Sequence, residues 1–412
     1  MNPSVLTSPA RRRLLGATVL FAAAACGASA DVVTDWNELM ESTVASSNVF
    51  HQTRAAAITQ LAVYEAVNSI TREYEPYLGT LVAPDQASPE AAAVIAAYRV
   101  LTVLYPSSQL GQKRDESLAA IPDGVAKANG IAIGLAAADG MLGLRSFDGS
   151  NLPMPYTPGT RPGQWQPTPP SHLPATLPGW GRVATFGIRH GAQFRVNPPP
   201  AMRSGKYAKD LAEVRSVGAV DSPMRPADRT DVARVFAVRT VVNLYHPIAR
   251  QLSAAEGLTL SQNARLFALV AMAGADALIS SMESKYHYNV WRPVTAIQQA
   301  AFDGNPATQP DPQWASLIAT PAFPSYPSNH ATAAAASLTV LRHFFGKSNL
   351  NITLPPVDGI VLTYQSFDDI AADIDDARVC GGIHFRYDQE AGSRQGRHVG
   401  RYILQHELRR FR

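Results

Sequence analysis

Apolar residues recur at three- and four-residue intervals through most of this chain, the spacing of one buried helical face. Over 52–70, Ile58, Leu61, Ala62 and Ala66 make such a stripe; similar stripes run over 91–104 and 125–144, where alanine is frequent and strand formers are sparse. The run 263–285 is apolar nearly all round between 266 and 275, the pattern of a helix at the centre of a bundle. Asp276 and Glu283 inside it speak against a membrane-spanning role, so no transmembrane segment is expected. The predicted class is all-α.

Between 151 and 203 the pattern breaks. Prolines at 153, 155, 158, 162, 167, 169, 170, 174, 178 and 198–200 forbid a long helix there. Trp165 and Trp180 in the same stretch predict that it packs on the body of the protein as an ordered excursion. The expected organisation is a helical half over 31–150, the proline-rich excursion over 151–203, and a second helical half over 204–412.

Residues 1–30 carry a different signal. Arg11-Arg12-Arg13 precede an apolar run over 14–25, and Ala28-Ser29-Ala30 supply small residues before Asp31, the order of an export signal that is removed. Arg11-Arg12-x-Leu14-Leu15 resembles a twin-arginine signal and admits that route beside the general secretory one, so the protein is expected outside the cytoplasm, periplasmic or secreted. Cys26 follows three alanines without the leucine of a lipidation site. Cleavage after Ala30 leaves Cys380 as the remaining cysteine, which excludes an internal disulfide, and it reads as a small core residue. The formal net charge of +3 is too small to indicate nucleic acid or an acidic membrane as partner. An anionic ligand must therefore be held by a local site.

Three clusters in the last third supply one. In the first, Lys285 and Arg292 stand seven apart, two helical turns, which places both heads on one face, and Pro293 marks where that helix kinks or ends; most such pairs are a solvated face. In the second, Phe323-Pro324-Ser325-Tyr326-Pro327-Ser328-Asn329-His330 precedes an alanine-rich run, and Pro-Ser before that run predicts a helix N-terminus where free N–H groups favour an anion. Ser328 there can be simply an N-cap. In the third, Arg378 and His384 flank Gly381-Gly382, where backbone or ligand approaches closely, although His384 alone could be a core histidine. Together these are strongly basic side chains, two histidines and a helix start, without zinc-type Cys/His spacing, an acidic calcium loop or a glycine-rich nucleotide loop. Such a pocket suits a tetrahedral oxyanion, with histidines available as nucleophile and acid/base.

These clusters resemble the three-part signature shared by vanadium-dependent haloperoxidases and type 2 phosphatidic acid phosphatases, including bacterial class A acid phosphatases. Lys285, Arg292 and Pro293 match its first part. Pro327, Ser328 and His330 match the second, with Asn329 where glycine is usual; Arg378 and His384 match the third, with Ala377 where serine is usual. The stretch 276–297, Pro178-Gly179-Trp180-Gly181, Asp35-Trp36-Asn37 and 384–388 are similar to the bacterial haloperoxidase-like branch.

The resemblance implies two packed four-helix-bundle-like halves with the oxyanion at one end. It implies that His384 is the axial ligand of vanadium, held as vanadate, or the phosphohistidine nucleophile of a phosphatase. His330 would be the acid/base, and Lys285, Arg292 and Arg378 would neutralise the anion's oxygens, with Lys285 also polarising peroxide. Ser328 and the N–H of Asn329 would donate further hydrogen bonds, and Asp388 would orient His384. Phe323 matches the chloroperoxidase-like halide pocket, whereas Met282 stands where tryptophan is familiar. The leading expectation is a haloperoxidase that oxidises halide with hydrogen peroxide to hypohalous acid, with an organic acceptor as a further partner. The alternatives are a metal-free acid phosphatase and a non-catalytic oxyanion-binding protein.

Overall fold

A computed structural model describes residues 31–346 and 349–411. The expected export segment 1–30 lies outside the described residues. Within them the chain is all-α, and its two short strands, β1 (Ile352–Thr353) and β2 (Thr363–Tyr364), form one antiparallel pair. The helices are α1 (Val32–Val44), α2 (Val49–Thr71), α3 (Pro89–Leu104), α4 (Ser108–Ala119), α5 (Val125–Leu144), α6 (Gly205–Val217), α7 (Ala227–Val238), α8 (Val241–Glu256), α9 (Leu260–Tyr288), α10 (Pro293–Gln298), α11 (Asn329–Phe345), α12 (Phe367–Cys380) and α13 (Arg386–His406). The apolar stripes over 52–70, 91–104, 125–144 and 263–285 fall in α2, α3, α5 and α9. Polar caps set the starts: Asp31, Asn48, Ser88, Thr259 and Ser328 each accept a first-turn N–H.

Two largely buried helices organise the packing. α2 touches α3, α5 and α9, while α9 touches α2, α8, α11 and α13, so one apolar core runs through both ends of the chain. Among the described residues only α9 is long and apolar enough to cross a membrane, and its most apolar window is 94% buried inside the protein. Its apolar surface is thus spent on neighbouring helices. α13 meets α11 through glycines one turn apart. A Cβ on Gly392, Gly396 or Gly400 would fall 2.7, 2.0 or 2.7 Å from the carbonyl oxygen of Ser328, Thr332 or Ala336. The two backbones therefore approach more closely than any side chain at those positions allows.

The proline-rich stretch holds only the short 3₁₀ turns Trp180–Arg182 and Gly191–Phe194. Trp165 and Trp180 are buried, and the stretch is tied to α9 at two places. The buried Asp276 carboxylate accepts the N–H groups of Phe186, Gly187 and Ile188 at 2.7, 2.7 and 2.9 Å. Near the other end of α9, Trp165 N–H donates to Asn289 O and Trp291 N–H to Gly163 O. The excursion thereby braces the segment that carries Lys285 and Arg292.

Candidate active site

Lys285 and Arg292 converge, but not along one helical face as their spacing suggested. α9 ends at Tyr288, Asn289 turns left-handed (φ 53°), and Arg292 is the N-cap of α10 with Pro293 in its first turn. The chain reverses between the two side chains, and Pro293 opens a helix instead of closing one. Lys285 Nζ donates to the carbonyls of Pro324 and Ser325 at 2.8 and 2.7 Å. Arg292 donates from Nε to Phe323 O and from Nη1 to Ile383 O, both at 2.8 Å. Both cations lie over the Phe323 ring, 5.2 and 4.9 Å from its centroid. Arg292 Nη2 is sealed in the protein without a hydrogen-bond partner.

Ser328 does act as the N-cap of α11, its Oγ accepting from Ala331 N–H at 3.3 Å, while its own N–H donates to Asp388 O at 3.0 Å. The departure at Asn329 is accommodated sideways. Its Oδ1 accepts from Ser281 Oγ at 2.8 Å, and its Nδ2 lies 3.5 Å from Met282 Sδ, so the side chain leans onto α9. His330 follows in the first turn of α11 and is part-exposed.

Arg378 sits in the last turn of α12 and donates from Nη1 to Phe236 O at 3.1 Å, whereas its buried Nε has no partner. Gly382 (φ 80°) serves backbone approach, since a Cβ there would lie 2.3 Å from Gly218 O. Cys380 is buried, and burial pushes its thiol up to about 12, as an inert core cysteine requires. His384 lies just before α13, outside the helix. Asp388, in the first turn of that helix, reaches back. Its Oδ2 meets His384 Nδ1 at 2.7 Å and accepts from Ser325 Oγ at 2.5 Å and Phe385 N–H at 3.2 Å. His384 Nε2 faces Arg292 Nη1 at 3.2 Å.

A cavity of ≈ 60 Å³ opens beside this cluster, several times the roughly 10–15 Å³ that one water needs on that measure. Phe323, Asn329, His330, Arg378 and His384 are on its wall. Lys285, Arg292, Ser328 and Met282 are fully buried and are not among the residues lining it. Arg239, Thr240, Val241, Leu244 and Tyr245, from α8 and the residues before it, also line it. No motif marked these residues. Ser325, which joins Lys285 to Asp388, stood inside the second cluster but matched no part of the signature.

The electrostatics are those of crowded, buried positive charge. Burial and then Arg292 hold Lys285 well below the usual lysine range. Burial lowers Arg292 to about 9 and Arg378 to about 10. His330 and His384 are pushed well below 6.5, chiefly by burial and then by Arg378 and Arg292 respectively. Burial raises Asp388 to about 6, opposed by Ser325 and the neighbouring cations. Two buried guanidinium groups, beside a lysine and two histidines held toward their neutral forms, thus meet one carboxylate, leaving a positive surplus that an anion would neutralise.

Residues 265–412 match the family of VCPO second helical-bundle domains. The structure of a bacterial vanadium-dependent iodoperoxidase superposes with a TM-score of 0.77 at 25% identity, over 92% of this chain and 96% of that one. Residues 265–412 thus carry a domain of the vanadium haloperoxidases, and the described chain has their helical fold. The vanadium chloroperoxidase of Curvularia inaequalis is 38% identical over 92 residues, 20% of this chain and 14% of that relative, so the match spans a small part of its length. A holo-type bacterial vanadium-dependent chloroperoxidase shares the fold, with a TM-score of 0.71 at 18% identity over 88% of this chain and 93% of that one. All three parts of the haloperoxidase signature lie in the matched region 265–412.

Proposed function

We propose that this chain is a vanadate-dependent haloperoxidase that uses hydrogen peroxide to oxidise halide to hypohalous acid. The observation that carries the reading is the set of unsatisfied donors around His384: Arg292 Nη2 and Arg378 Nε are buried without partners, and the local charge is positive. Those groups fit an oxyanion such as vanadate, with Lys285, Arg292 and Arg378 balancing its charge and His384 Nε2 as the ligand atom. Bound vanadate supplies the Lewis acidity that activates peroxide toward halide. His330 holds or moves a proton at the cavity wall, and the Asp388 carboxylate keeps the His384 proton on Nδ1.

The same residues support a second reading, a phosphomonoesterase, because an unprotonated, oriented Nε2 is also what a phosphohistidine nucleophile needs. Two histidines on one cavity weigh against mere oxyanion storage. Pure protein assayed with orthovanadate, peroxide and bromide, beside p-nitrophenyl phosphate without vanadate, separates the readings. Halide oxidation that depends on vanadate supports the first, and phosphatase turnover with no halide oxidation replaces it by the second.

We also infer export with removal of 1–30. The first described helix is capped by Asp31 itself, so cleavage after Ala30 keeps that cap. Intact-mass measurement on exported protein tests this; a retained 1–30 segment would overturn it.

A further inference from the structure

Ser325 matches no part of the signature, yet each of its polar groups is spent on the site. It is fully buried, in the chain leading to α11. Its main chain faces the first cluster. The N–H donates to Val290 O at 2.8 Å, within the reversal between Lys285 and Arg292, and the carbonyl accepts from Lys285 Nζ at 2.7 Å. Its side chain faces the third cluster: Oγ donates to Asp388 Oδ2 at 2.5 Å and stands 3.4 Å from His384 Nδ1.

The hydroxyl sits where the orientation of His384 is decided. Asp388 Oδ2 meets His384 Nδ1 at 2.7 Å and takes two further donors, Ser325 Oγ and Phe385 N–H. Oδ1 of the same carboxylate is sealed with no partner. Every hydrogen bond of this carboxylate among the described residues is therefore on one oxygen. Of the two further donors, Phe385 N–H is the longer contact, at 3.2 Å, and comes from the start of the helix that carries Asp388. Ser325 is the anchor from outside that helix, 63 residues away in sequence. Without its hydroxyl the carboxylate is free to turn its unpartnered Oδ1 toward His384, and the imidazole follows a looser acceptor. Outer partners of this kind hold a ligating histidine's tautomer and ring orientation.

We propose that Ser325 is a positioning residue, whose hydroxyl locks the Asp388 carboxylate against His384 Nδ1 and so keeps Nε2 turned toward Arg292. The role rests on the reading of His384 as the residue that bonds the oxyanion's central atom, and it serves vanadate and phosphate alike.

Ser325→Ala isolates the hydroxyl, because the main-chain groups that bind Val290 and Lys285 remain. Two quantities are measured on the whole protein. One is orthovanadate affinity by calorimetry; the other is the Nδ1–H proton resonance of His384 in the anion-free protein, assigned by its loss in His384→Ala. Expected in Ser325→Ala are an affinity weaker by about 10–100-fold and an Nδ1–H resonance broadened by faster exchange with water, with helical content unchanged. Wild-type affinity would overturn the role. So would weaker affinity with the resonance unmoved, which marks Ser325 as a packing residue alone. Orthovanadate that binds neither protein counts against the vanadate reading, while the resonance, read without anion, still decides the role of Ser325.

Discussion

His384 Nδ1 and Asp388 Oδ2 lie 2.7 Å apart, with both side chains sealed from solvent. An ionised carboxylate can only accept, so the imidazole proton sits on Nδ1 and the lone pair on Nε2. The nitrogen toward Arg292 is therefore the one free to bond an electrophilic centre.

Asp388→Asn tests that relationship. It keeps the shape but weakens the acceptor, and the expected result is a 10–100-fold loss of orthovanadate affinity with the helical content intact by circular dichroism. Isothermal calorimetry showing wild-type affinity would remove the orienting role.

The two histidines should fail differently. His384→Ala is expected to lose vanadate retention and phosphatase turnover together, because it removes the bonding nitrogen. His330→Ala should keep the anion while turnover falls roughly 10²–10⁴-fold, since His330 sits on the cavity wall in another helix. Vanadium analysis of both purified variants beside their kinetics decides; vanadate lost from His330→Ala and kept by His384→Ala would reverse the roles.

Protonation should follow the anion. Lys285, His330 and His384 are all held below their usual ranges by burial and neighbouring cations, and an anion among them favours their charged forms. Binding of phosphate or vanadate should take up protons and weaken as pH rises, measured by calorimetry in buffers of different ionisation enthalpy. Proton release on binding would contradict the site. In the anion-free protein the two histidines stay neutral, whereas the unfolded chain protonates them below about 6.5. Their contribution to stability is thus complete above that pH and is lost as pH falls below it.

Close helix packing gives a fourth prediction. A Cβ at Gly396 would meet Thr332 O at 2.0 Å, and backbone cannot yield as a flexible side chain does. Gly396→Ala should destabilise the protein by about 1–3 kcal/mol in urea unfolding and weaken vanadate binding by moving α11, with His330, relative to α13. Unchanged unfolding would show that the helices are free to separate there.

Much of this protein is decided by local chemistry and is readable along the chain. Helical periodicity alone marks α2, α3, α5 and α9, because each must bury a continuous apolar face wherever it packs. The prolines of 151–203 exclude a long helix whatever surrounds them, and Pro-Ser before an alanine run marks the start of α11. The site's residue types, three cations and two histidines at their spacings, were likewise visible. What tertiary structure decided is direction and pairing. The reversal at Asn289, which turns Arg292 back toward Lys285, depends on a left-handed residue braced by the strand-like contact with Gly163 and Trp165. Ser325 and Asp388 meet across 63 residues, and no periodicity encodes that separation. The α8 wall carries no motif at all: Val241 and Tyr245 read as ordinary core positions until packing leaves one face of their helix open to the cavity. Local rules fix which groups a segment offers, but the partner of a buried polar group is set by whichever distant segment the core brings against it.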